Sequence, residues 1–344
     1  MKHYVWLALL VGGCHQLDHN VVARTDIVTD ATDPSLINAW GLAFNPMGVA
    51  WISANGTGIS EVYDIHGNHV IPAITIPTPA TPAASGMPAT PTGQVFNGDS
   101  TAFMGDAFIF ATEDGTISGW QASAGSAARL RIDNSGSSAV YKGVAIGTAN
   151  NGDARLYAAN FHNNSVDVYD TTYRLVPSGF VDPLLPAGFA PFNVAIIQGD
   201  VLVSYALQDA DKGDDVAGNG NGFVDVYDGD GNLLDRLLSG GQLNSPWGMV
   251  LAPSSFDAAP NQLLVGNFGD GLIHFYELSF DSDEHAALLG GILLDETGSA
   301  ITIDGLWALQ FGPGSGGFAS SSLYFTAGPD MEMHGAFGAL TSTE

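Results

Sequence analysis

The chain has one cysteine, Cys14, in 344 residues. A lone thiol forbids an intrachain disulfide and removes every redox or metal motif built on paired cysteines. Basic residues are also scarce: nine Lys plus Arg stand against 36 Asp plus Glu, for a formal charge of −27. Nucleic-acid binders use a basic face to displace counterions from phosphate, so this balance excludes DNA and RNA as partners and disfavours an anionic membrane surface. Arg236 is the last Lys or Arg, and the final third carries acids without basic partners. Such an excess keeps an exported protein soluble, and it is also a charge that attracts divalent cations. No apolar run is long enough for a transmembrane helix; Val5–Val11 falls far short. There is no G-x-S-x-G elbow, no H-E-x-x-H, and no helix after "GNGNG" to make it a phosphate loop.

Glycine and proline are plentiful, at 44 and 17 residues, and 45% of the chain is hydrophobic. That composition suits strands and turns, and no stretch offers a convincing amphipathic helix. The first fourteen residues, "MKHYVWLALLVGGC", combine a short positive start, an apolar run and small residues before Cys14. They resemble a bacterial lipoprotein signal with "VGGC" as its lipobox. The resemblance implies a lipid on Cys14 as the sole membrane contact, and His15 after it would leave the protein free to reach an outer membrane or cell surface. An ordinary secretory peptide, with a periplasmic or secreted product, is the other reading. The expected organisation is a signal over 1–14, a tether over 15–20 and a single domain over 21–344.

One element is written three times: "NAWGLAFNP" at Asn38–Pro46, "NSPWGMVLAP" at Asn244–Pro253 and "DGLWALQFGP" at Asp304–Pro313. Strand, strand, loop and strand follow each in the same order. Less similar copies begin at Thr92, Tyr141 and Phe192, making six. The aromatic closing the third strand recurs at Tyr63, Trp120, Tyr169, Tyr227 and Tyr276. A repeat near fifty residues, built from period-two strands and Gly/Asn/Asp turns, is the signature of propeller blades. The expected fold is therefore all-β, a six-bladed β-propeller. Outer strands are expected at Leu233–Leu238 and Gly290–Asp295, and hairpin turns at Asp64–Asn68 and Asp228–Asn232. The last copy has no outer strand of its own, so Val21–Val28 is expected to complete it and close the ring. Pro72–Pro91 reads as an extended loop between the first two blades.

Loops between second and third strands, and connections leading into each first strand, share one face of a propeller. They supply Asn55, Glu113, Asp114, Asn160, His162, Gln208, Asp209, Asn267, Asp270, Asp330 and His334, with Asn38, Asn193, Asn244 and Asp304. Converging carboxylates and amides suit Ca2+ or another hard divalent cation, although turns demand the same residue types. Asn55, Asn160 and Asn267 end their second strands at matching positions and are the preferred ligands, with Glu113 and Asp209. The acidic loop Gln208–Gly222 is a second place for an ion, and "MEMH" at Met331–His334 a weak one for copper. Trp40, Trp247 and Trp307, with Phe192 in the same register, read as core before ligand platform.

"FIFATEDGTISGW", "LYAANFHNNSVDVYD", "LLVGNFGDGLIHFYE" and "LYFTAGPDMEMHG", with the Trp-containing copies, resemble an uncharacterised family of exported bacterial β-propellers, distantly related to NHL-repeat and gluconolactonase-like proteins. The repeats, the export signal and the absence of a nucleophile motif point to a binding or scaffolding module at the bacterial envelope, with an unknown small-molecule, polymer or protein ligand on the loop face. The gluconolactonase-like relatives imply an alternative, a divalent-metal-dependent hydrolase or lactonase with its ion at the channel mouth.

Overall fold

The structure is a computed structural model and describes residues 20–80, 86–281 and 284–343; the leader and Cys14 lie outside the described residues. Six four-stranded antiparallel sheets follow one another along the chain. The innermost strands are Ala39–Asn45, Pro91–Phe96, Tyr141–Thr148, Phe189–Ile197, Pro246–Leu251 and Leu306–Phe311. They belong to blades one to six in that order. Six apolar clusters fill the six seams between neighbouring blades. Burial of sheet faces against each other thus holds the ring together.

The ring closes as expected. Val22–Thr29 pairs with Ala336–Ser342, from Val22 opposite Ser342 to Thr29 opposite Ala336, and is the outer strand of blade six. The closure joins the two ends of the chain and gives the last sheet its fourth strand. The turns at Asp64–Asn68 and Asp228–Asn232 also form. In each, the Asp Oδ1 accepts backbone N–H groups two and four residues on, and Gly67 and Gly231 take positive φ.

Two expectations need correction. In blade five the outer strand is Glu284–Ile292, paired with a third strand that runs on from Ile273 to Asp281. Tyr63, Tyr169 and Tyr227 are each followed at once by Asp, which starts a turn, whereas Tyr276 is followed by "ELSF" and the strand continues. Pro72–Pro91 is not simply a loop. Ile74–Thr75 is the outer strand of blade one, Ile74, Ile76 and Ala89 are buried, and Pro91 opens the innermost strand of blade two.

All six innermost strands carry a register shift at the same place near their start. The residues there are Trp40-Gly41, Thr92-Gly93, Lys142-Gly143, Phe192-Asn193, Trp247-Gly248 and Trp307-Ala308. In five of the six the second member is Gly or Ala, because neighbouring blades meet at that point; blade four has Asn193. A Cβ on Gly41 would collide with the Thr92 carbonyl oxygen, and one on Gly143 would lie 2.7 Å from the Asn193 Cα. The recurring Trp-small pair is therefore a bulge that lets six strands crowd round one axis.

Candidate functional site at the channel mouth

The bulge turns its first residue towards the axis. Trp40 stacks on Trp307 with centroids 3.5 Å apart, and Trp247 meets both edge-on at 6.4 and 5.9 Å. Phe268 stacks on the other face of the group at 3.9 Å from Trp307, while Phe192 lies 6.0 Å from it. Contacts that span blades one, four, five and six can occur only near the axis. The expectation that these aromatics are core holds, and together they plug the channel. Beyond the plug, the channel is a cavity of about 210 Å³ lined by Leu42, Gln94, Val144, Asn193, Met249 and Leu309.

Blade three breaks the pattern, for it places Lys142 where four blades place Trp or Phe and blade two places Thr92. The side chain is fully buried, with Nζ 5.1 Å from the Trp40 ring centre and 5.8 Å from that of Phe161. Nζ donates to Glu113 Oε1 at 2.6 Å and to Asp214 Oδ1 at 2.7 Å. Burial opposes the charge on Lys142, but Glu113 and then Asp214 outweigh it and hold the ammonium above its ordinary pKa. Two further carboxyls join them. Burial, reinforced by Glu113 and Asp214, pushes Glu332 up to about 7, and burial also raises Asp215.

Amides fix the acids. Asn55 Nδ2 donates to Glu113 Oε2 at 2.9 Å, and Asn38 Nδ2 to Glu332 Oε2 at 2.7 Å. The Asn38 Oδ1 accepts the indole N–H of Trp307 at 2.8 Å, tying rim to plug. Asp330, Met331 and Glu332 all have positive φ, a left-handed stretch that L-residues adopt at a cost of about 1–2 kcal/mol each. That backbone brings Glu332 inward and leaves Met331 and Met333 exposed. Strain of this kind clusters where a site over-determines the chain.

The residues anticipated as ligands separate into two groups. Asn55 and Glu113 meet at the rim. Asn160 donates to Asp167 at 2.9 Å and accepts the Val140 N–H at 3.3 Å. Asn267 donates to the Gln242 carbonyl at 2.8 Å and accepts the Asn244 N–H at 3.2 Å. Asp209 accepts the Gly213 N–H at 2.9 Å within its own loop. His334 Nδ1 is engaged by Asp30 at 2.7 Å. Lys142 and Glu332 were not singled out from sequence. The signal for Lys142 was present, since "YKG" aligns with "AWG" and puts a charge in a column that is otherwise uncharged and mostly aromatic.

No protein-family profile matches the chain. It is 30% identical over 322 residues to the uncharacterised protein R648 of Acanthamoeba polyphaga mimivirus, covering 90% of this chain and 76% of that one. A second mimivirus protein, the uncharacterised L690, is 29% identical over 341 residues, covering 94% and 85%. Among solved structures, a putative oxidoreductase (glucose dehydrogenase) of Thermus thermophilus superposes with a TM-score of 0.55 at 14% identity, covering 93% of this chain and 99% of its own. A protein of unknown function from Bacteroides thetaiotaomicron gives 0.55 at 11% identity, covering 93% and 72%. Virginiamycin B lyase from Staphylococcus aureus gives 0.50 at 9%, covering 93% and 98%. Likeness at such identities shows the propeller fold alone.

Proposed function

This chain belongs to the family of the uncharacterised protein R648 of Acanthamoeba polyphaga mimivirus, and we propose that it is an exported binding module that captures a cationic group on its acidic loop face. The observation that carries the reading is Lys142, fully buried between Glu113 and Asp214 above the tryptophan plug. An ammonium stands where a channel-mouth ion would meet its carboxylates, so an inner metal would have to displace a paired, desolvated charge. Around that ammonium, Glu113, Asp214, Asp215 and Glu332 give the rim more negative than positive charge. Opposite charge favours an amine- or guanidinium-bearing ligand and speeds its approach. Export with a lipid on Cys14 rests on the leader; the viral relatives place the family beyond bacteria.

The test uses tetralysine as probe. Calorimetry at low and moderate salt should show binding that weakens with ionic strength, and Glu113→Gln with Asp214→Asn should reduce it at least fivefold. Asp153→Asn, which removes an exposed acid in another blade, should leave it near the starting value. Equal losses in both variants would reduce the effect to bulk charge and sink the reading. So would one tightly held Ca2+ together with hydrolysis of lactones. Cys14→Ser should release the protein from membranes; unchanged fractionation would remove the anchor.

A further inference from the structure

The sequence writes the end of its third strands alike: "SEVYD" in blade one, "VDVYD" in blades three and four. The acid two places before the Tyr is buried in blades one and four, as Glu61 and Asp225, and half-buried in blade three, as Asp167. In two of the three copies both carboxylate oxygens find donors. Asp167 accepts from Tyr141, Asn160 and Ser165. Asp225 accepts from Arg236 at 3.2 Å and from Tyr227 at 3.5 Å. Glu61 is different. Its Oε1 accepts from Ser35 at 2.6 Å, but its Oε2 has no hydrogen-bond partner, although the side chain is only 2% exposed.

That orphan oxygen points at a cluster. His69 Nε2 lies 3.7 Å from Glu61 Oε2 and 2.6 Å from Asp33 Oδ2. The three donor atoms all lie within 4.8 Å of one another. The Ser35 backbone N–H donates to Asp33 Oδ1 at 3.0 Å, and the Tyr63 hydroxyl donates to Asp33 Oδ2 at 2.6 Å, so both carboxylates are oriented from behind. Asp33 and His69 face a cavity of about 410 Å³ that His66 also lines, beside Ile27 and Val28 of the closing strand. An unpaired buried carboxylate oxygen costs about 1–3 kcal/mol or more, and its sister sites avoid the cost.

We propose that Asp33, Glu61 and His69 form a binding site for a divalent first-row transition ion, of which Zn2+ is the best fit, open to the cavity on its fourth side. Two carboxylate oxygens and an imidazole gathered this closely become ligands of one ion at roughly 2 Å each after a small side-chain adjustment, in which the His69–Asp33 hydrogen bond opens to admit the ion. The imidazole selects zinc over Ca2+ and Mg2+, which prefer an all-oxygen shell. The site stands where the chain leaves the closing strand and enters blade one, so an ion there staples the seam at which the ring is sealed. It shares no residue with the channel mouth.

The experiment is zinc titration of the full chain by calorimetry, with elemental analysis after dialysis. One equivalent of Zn2+ should bind at micromolar affinity or tighter, raise the melting temperature, and be removed by chelator with return to the starting value. His69→Ala and Glu61→Gln should each weaken binding at least tenfold, whereas His334→Ala should not. If Glu61→Gln fails to fold, His69→Ala, at a half-exposed position, carries the test. Less than one equivalent bound, unchanged affinity in His69→Ala, loss in His334→Ala, or Ca2+ held more tightly than Zn2+ would each overturn the proposal.

Discussion

Replacing Lys142 by Met keeps a flexible chain of similar length over Trp40 and Phe161 but removes the charge. The ammonium now makes hydrogen bonds of 2.6 and 2.7 Å to Glu113 and Asp214. Deleting one partner of a buried pair costs about 3–5 kcal/mol, because the other charge is left uncompensated. The Asp214 side chain is 68% exposed and keeps most of its hydration, whereas that of Glu113 is only 25% exposed. The lower end, about 3 kcal/mol at pH 7, is therefore expected. Acid should soften the loss. Without Lys142 the rim holds carboxyls alone, and protonating Glu332 and its neighbours relieves their repulsion, so the deficit at pH 5 should be smaller. Urea unfolding followed by tryptophan fluorescence reads both values; urea leaves the electrostatics unscreened, as guanidinium does not. A Lys142→Met protein that unfolds at the wild-type midpoint at both pH values would show that the buried ammonium does not hold the rim together.

Two more predictions rest on the same geometry. Gly41→Ala should cost about 1–3 kcal/mol, since the new methyl would collide with a backbone oxygen that cannot swing away; a neutral effect on the urea midpoint would mean that the blades do not crowd there. Glu332, held at about 7 against its usual 4.5, keeps a proton in the native state that the unfolded chain has already lost. Its contribution to stability must then fall as pH rises from 4.5 to about 7 and level off above that, by up to about 3 kcal/mol in total. Glu332→Gln should flatten that part of the stability profile, and an unchanged slope would show that Glu332 ionises normally.

The six copies were readable because a blade is a local object: strand periodicity and turn chemistry recur within about fifty residues, and closure by Val22–Thr29 follows from counting strands. Blade five departed from the count because register in a hairpin is set by where turn residues stand, and "ELSF" after Tyr276 supplies none. The site was harder to read for a physical reason. Asn55, Asn160 and Asn267 are equivalent in sequence and all buried, yet only Asn55 meets an acid from the next blade, while the others close contacts within their own. Equivalence along the chain fixes where a side chain starts, not what the adjacent blade offers it. The informative residues are those that break the repeat. The second place of the bulge is Gly or Ala in five blades of six; the first place faces the axis and is free to vary, and among six occupants only Lys142 is charged. In the same way, among the three acids of the "VYD" motif only Glu61 keeps an oxygen without a donor. A repeat protein thus states its fold in what its copies share, and places its chemistry where one copy differs from the rest.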